Sequence, residues 1–159
     1  KIACRAADST PAGPALRPRV KKMIGSFIKN IDKCGLKDLF TDASRQLLKK
    51  YCELKLYYES RDYLLEGVCD LITIDACGNA TIYDFKTING ESPEKMADYE
   101  TQAAFYQLCA EKSLAGISDF NPPVIILVEN GGECRIKAVE IPRETIKARQ
   151  AEIINNINC

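Results

Sequence analysis

Histidine is absent from this 159-residue chain. That removes the commonest general base and the commonest transition-metal ligand, so any metal site must be built from oxygen or sulfur. No C-x-x-C pair occurs among the eight cysteines, Cys4, Cys34, Cys52, Cys69, Cys77, Cys109, Cys134 and Cys159. Their scatter argues against a zinc site or a thioredoxin-like motif, and free thiols buried in a reducing cytoplasm account for them better. No apolar run reaches transmembrane length, and the longest, Val124 to Val128, is the size of a strand. The first fifteen residues, KIACRAADSTPAGPA, lack a signal-peptide core. An initiator methionine is also missing, which points to a processed or trimmed end. An intracellular protein, cytoplasmic or nucleoid-associated and without a membrane segment, is therefore expected. Repeats and low-complexity segments are lacking too.

Net charge is zero, but it is unevenly spread. Lys1 to Arg61 hold fourteen Lys/Arg against six Asp/Glu, a balance of +8, and Asp62 to Cys159 carry the opposite −8. Solvated helix faces explain much of this. It also suits a protein whose basic helices grip phosphates while its carboxylates hold a cation. Length predicts one domain, residues 17–159, after a flexible N-terminal segment, 1–16.

The chemical centre is the stretch LEGVCDLITIDACGNATIYDFKT, residues 65–87. It predicts two strands, Leu64 to Asp75 and Ala80 to Ile88, joined at Cys77-Gly78-Asn79, where Gly and Asn tolerate positive φ. Three ionisable groups interrupt these otherwise apolar strands. Asp70 lies in the first. Asp84 and Lys86 lie two apart in the second, so they leave the same face. The turn brings Asp70 and Asp84 to comparable distances from it, close enough to share a ligand. Paired carboxylates in a half-buried sheet repel and resist desolvation, a penalty that a divalent cation removes. The alternative is a buried Asp70–Lys86 ion pair with Asp84 exposed at the strand end.

Around the hairpin, helices are predicted over Arg17 to Lys33, with a stop at Gly35, and from an Asp42 N-cap through Leu47 and Leu48 to about Lys50. Tyr51 to Ser60 alternates as a strand, with Cys52, Leu54 and Leu56 on one face and Glu53, Lys55 and Tyr57 on the other. A helix from Pro93 or Glu94 to Leu114 puts Gln102 and Tyr106 one turn apart. Two strands, VIILVEN and ECRIKAVEI, flank the turn Gly131-Gly132, and Pro142 opens a closing helix through Ile154. The order ααβββαββα predicts a mixed sheet of about five strands flanked by helices.

GVCD, then DFK about a dozen residues on, then QAAFY on a helix, resembles the RecB-type, lambda-exonuclease-like branch of the PD-(D/E)XK nucleases. That branch shows G-x-x-D, (D/E)-x-K and Q-x-x-x-Y, and the likeness spans roughly Lys49 to Ala110. The resemblance implies the restriction-endonuclease-like α/β fold and a metal-dependent nuclease, most simply a DNA exonuclease of recombination, repair or phage DNA processing. It implies Mg2+ or Mn2+ held by Asp70, Asp84 and the Phe85 main-chain carbonyl, with Lys86 completing the catalytic set. Glu53 is a further candidate ligand. Gln102, Tyr106 and Lys55 are candidate contacts to a DNA substrate. An oligomer is left open. Many members carry an upstream histidine ligand that this chain lacks. An acid replaces it, the site is sparer, activity is impaired, or the ligand belongs to a preceding segment. A nucleic-acid-binding module without turnover and a structural subunit of a larger nuclease complex are the alternatives.

Overall fold

The computed structural model describes residues 25, 29–31, 36, 47–60, 62–88, 93–129 and 135–158. The N-terminal segment 1–16, most of the helix over 17–33, the Asp42 cap and the Gly131-Gly132 turn lie outside them; residues 25 and 29–31 are helical.

Six strands form one mixed sheet: β1 Leu47–Glu59, β2 Leu64–Asp75, β3 Asn79–Ile88, β4 Asp119–Phe120, β5 Val124–Glu129 and β6 Arg135–Glu140. Two helices follow the hairpin and the last strand, α1 Pro93–Ser113 and α2 Arg143–Asn158. The strand order is β1-β2-β3-β5-β6, with the two-residue β4 beside β3. β1, β2 and β3 run antiparallel in turn, β3 and β5 are parallel, and β6 returns antiparallel to β5. The parallel pair requires a crossover, which α1 supplies.

The β2–β3 turn is made by side-chain chemistry. Asp75 Oδ1 accepts the N–H groups of Cys77 and Asn79 at 2.8 and 2.9 Å, and Asn79 Nδ2 donates to Oδ2 at 3.2 Å. These bonds hold the Asp75 carboxyl below its ordinary pKa. Gly78 takes φ +84°, which a side chain would resist. β5 is a continuous apolar run because both sides of it are covered. Ile125 and Leu127 meet Ala103, Ala104 and Ile146 of the helices, while Val124 and Ile126 pack with Ile31 and Leu36 on the opposite face. The hairpin half of the helix-covered face is built from Leu56, Cys69, Ile72, Ile74, Ala80 and Ile82 under Tyr106, Cys109 and Ala110 of α1.

Two expectations need correction. Leu47 to Lys50 are strand, not the end of a helix, because they pair with Asp75, Ile74 and Thr73 of the long second strand. Pairing to a distant partner overrides local helical propensity. Cys52 is exposed and does not share a face with Leu54 and Leu56, since the backbone turns left-handed at Glu53. The mixed sheet flanked by helices is as expected, and a two-residue strand joins it where Asp119 and Phe120 pair with Asn79 and Ala80. Of the four described free cysteines, Cys69 and Cys109 are buried, whereas Cys52 and Cys77 are exposed.

Gly67 lies where the aromatic side chains of α1 press on the hairpin. A Cβ there would lie 2.7 Å from Phe105 Cε1 and 3.1 Å from Tyr106 Cε1. Gly67→Ala should therefore destabilise the protein by about 1–3 kcal/mol, the usual cost of overpacking, seen as a lower urea midpoint. An unchanged midpoint would show that the helix does not press on this residue.

Candidate active site

The β2–β3 ladder ends at Leu71 and Tyr83. One step further, Asp70 and Asp84 face each other. The Phe85 N–H is received by Asp70 Oδ2 at 2.8 Å in place of a ladder bond. Asp84 comes from the even-numbered side of β3, whose neighbours Ala80, Ile82 and Ile88 all point beneath the helices. It is 1% exposed. Asp70 acts on Asp84 both as a like charge and as a side-chain partner, so the two carboxyls share one site.

Burial pushes the Asp84 carboxyl above its ordinary pKa. The Lys86 contact and charge pull it down, and the Asp70 charge raises it again. Lys86 Nζ lies 2.7 Å from Asp84 Oδ2. That oxygen is enclosed, and among the described residues the Lys86 ammonium is what offsets its charge, by contact and by attraction. Lys86 also donates to Gln102 Oε1 and lies 5.5 Å from the centre of the Tyr99 ring, a cation–π contact.

The lysine fixes the polarity of the chain beyond it. An ammonium only donates, so the Gln102 carbonyl oxygen must face Lys86 and its amide nitrogen must face away. Gln102 Nε2 then donates to Tyr106 Oη at 3.0 Å. The phenol is kept protonated, its pKa pushed up to about 12 by burial and then by the nearby Asp84 charge. Tyr106 thus retains a proton to give. Burial likewise pushes the Cys69 thiol beside the acids up to about 12, so it stays un-ionised.

Asp70, Asp84, Lys86, Gln102 and Tyr106 are brought together. The open alternative is reversed: Asp84 is the buried acid, and it is the one that pairs with Lys86. Glu53 is exposed, at the register position opposite Asp70, and does not complete a group of three acids. Lys55 points away from Leu54 and Leu56 and lies 3.8 Å from Glu66, both side chains more than half exposed. Tyr99 was missed as a site residue. Its signal was in the sequence: Tyr99, Gln102 and Tyr106 at i, i+3 and i+7 line one helical stripe.

These residues fit a hard cation. Asp84 Oδ2 is a buried oxygen that, among the described residues, meets a lysine ammonium rather than a neutral hydrogen-bond donor, a second carboxylate stands beside it, and every candidate ligand is oxygen. The N–H of Phe85 faces β2, and in an extended strand its carbonyl leaves the same edge. Among the described residues no group of three or more Asp, Glu, Cys or His converges. A sparse protein set completed by water is how Mg2+ is usually bound.

The family model of the PD-(D/E)XK nuclease superfamily matches residues 15–145. The chain belongs to that superfamily. Its fold is similar to the crystal structure of a candidate exonuclease from Eubacterium rectale, with TM-score 0.57, 12% identity, and coverage of 84% of this chain and 51% of that one. A weaker likeness is to SSO0001, with TM-score 0.43 and 12% identity over 91% of this chain and 66% of that one. The chain thus spans about half the length of the first and two-thirds of the second. No curated protein sequence matches significantly.

A carboxyl whose pKa is raised by folding favours the native state while protonated. That contribution is lost as pH climbs past the unfolded value of 3.8 and through the higher folded one. Asp84→Asn should therefore gain stability relative to the parent as pH rises from 3 to 7. Thermal unfolding of both proteins across that range checks it, and a pH-independent difference would contradict it.

Proposed function

We propose that this domain is a metal-dependent DNA nuclease of the RecB-type branch, hydrolysing phosphodiester bonds from DNA ends in recombination, repair or phage DNA processing. The observation that carries this is the convergence of Asp70, Asp84 and Lys86 at the point where the β2–β3 ladder opens, beneath Gln102 and Tyr106. Asp70, Asp84 and the Phe85 carbonyl would hold Mg2+ or Mn2+. When bound, the ion supplies acidification of water and neutralisation of phosphate charge.

The chain's own groups account for the rest. Lys86, partly buried and between Asp84 and Gln102, orients the attacking water and offsets the charge that develops on the phosphate. Gln102 keeps the ammonium directed at the acidic pair, a constraint that an unattached lysine lacks. Tyr106, which stays protonated, donates a hydrogen bond to a phosphate oxygen. Water adds to phosphorus and releases a proton to solvent, the P–O bond to the leaving sugar breaks, and the departing alkoxide takes up a proton from solvent.

Asp84→Ala and Lys86→Ala should each lower Mn2+- or Mg2+-dependent degradation of linear DNA by about 10²-fold or more. Gln102→Ala should cost less, about 10-fold, because it acts through Lys86. EDTA should abolish degradation by the parent, and added Mn2+ should restore it. Parent-like activity in both the Asp84 and Lys86 variants would remove them from the mechanism. DNA binding without cleavage under either metal would instead define a binding module.

A further inference from the structure

The backbone at Glu53 is out of keeping with its place in the sheet. It lies inside β1, yet it has φ +48°, in the left-handed region that residues bearing a Cβ seldom occupy. Register does not slip there. Cys52 pairs with Leu71 and Leu54 with Cys69, leaving Glu53 and Asp70 opposite each other without a ladder pairing. What changes is the phase of the side chains. Tyr51 and Leu54, three residues apart, pack against the same α1-side cluster, although regular alternation would send them to opposite faces. On β2, Cys69 and Ile72 do the same, with Leu71 on the opposite face. Both strands therefore reset their alternation at one level, with Cys52 and Glu53 consecutively outward and Cys69 and Asp70 consecutively inward.

We infer that the left-handed backbone of Glu53 is the positioning device that lets Asp70 enter the site, with its carboxylate incidental. A strictly alternating hairpin has two arrangements. Either Asp70 turns inward with Ile72 and Ile74, and Leu54, Leu56, Gly67 and Cys69 turn to solvent. Or those four stay under α1 and Asp70 turns outward, away from Asp84. The reset at Glu53 gives both at once: the far half of the hairpin stays packed against Phe105 and Tyr106 while Asp70 reaches the Phe85 N–H. Local strain of this kind gathers where geometry has to be forced. The inference rests on Asp70 and Asp84 being the working pair.

The test separates backbone from carboxylate by amide hydrogen exchange in the whole protein. Phe85, whose N–H is bound by Asp70, is followed against Ile141, whose N–H binds the Pro123 carbonyl far from the kink. Glu53→Gly and Glu53→Asn accept left-handed φ and remove the acid, and both should keep Phe85 protection within about threefold of the parent. Glu53→Val resists that conformation and should lose Phe85 protection by about tenfold or more, with Ile141 unchanged. Retained protection in Glu53→Val would overturn the inference. So would its loss in the Gly and Asn variants, a result that stands even if the Val variant does not fold. Mn2+ affinity, measured on the same samples, reports separately on the proposed function. A parent that binds no Mn2+ removes the metal site but leaves the Phe85 result to decide the role of Glu53.

Discussion

A carboxylate enclosed in the middle of a sheet is the constraint on which this structure turns. Asp84 sits where Ile82 and Ile88 on either side are core residues, and it is as buried as they are. Left alone, its charge would be expelled or neutralised. Lys86, two residues along the same strand, offsets that cost by contact. Gln102 and the Tyr99 ring then hold the lysine in turn. Apolar replacement of a buried ion pair is often neutral or stabilising. Its presence is therefore better explained by chemistry than by stability.

Position follows from how the hairpin opens. Up to Leu71 and Tyr83 the strands share main-chain hydrogen bonds; beyond them a side chain, Asp70, takes over the role of the missing carbonyl. This seats one acid firmly while, among the described residues, Asp84 Oδ2 is left to the Lys86 ammonium. The narrow gap at Gly67 brings Phe105 and Tyr106 down onto the hairpin, so the Gln102–Tyr106 stripe reaches the acids. A bulkier residue there would lift the helix from the site it helps to build.

The parts of this arrangement governed by short-range periodicity were legible in the sequence. Period two put Asp84 and Lys86 on one face, an i,i+4 spacing put Gln102 and Tyr106 on another, and Gly78-Asn79 announced the turn. What escaped depends on partners distant in number. Leu47 to Lys50 look helical until β2 is present to pair with them, and Asp119-Phe120 is a strand only because β3 lies alongside. The side that Asp70 faces was hidden for the same reason. Alternation counted from either end of β2 gives opposite answers, and only the paired resets at Glu53 and Asp70 reconcile them.

The most direct measurement of the central claim is anomalous diffraction from crystals soaked in Mn2+. The account predicts a peak between the Asp70 and Asp84 carboxylates, with Lys86 withdrawn from Asp84 toward Gln102 and the Tyr99 ring. Crystals that diffract well but show no peak there, with Lys86 still in contact with Asp84, would contradict it.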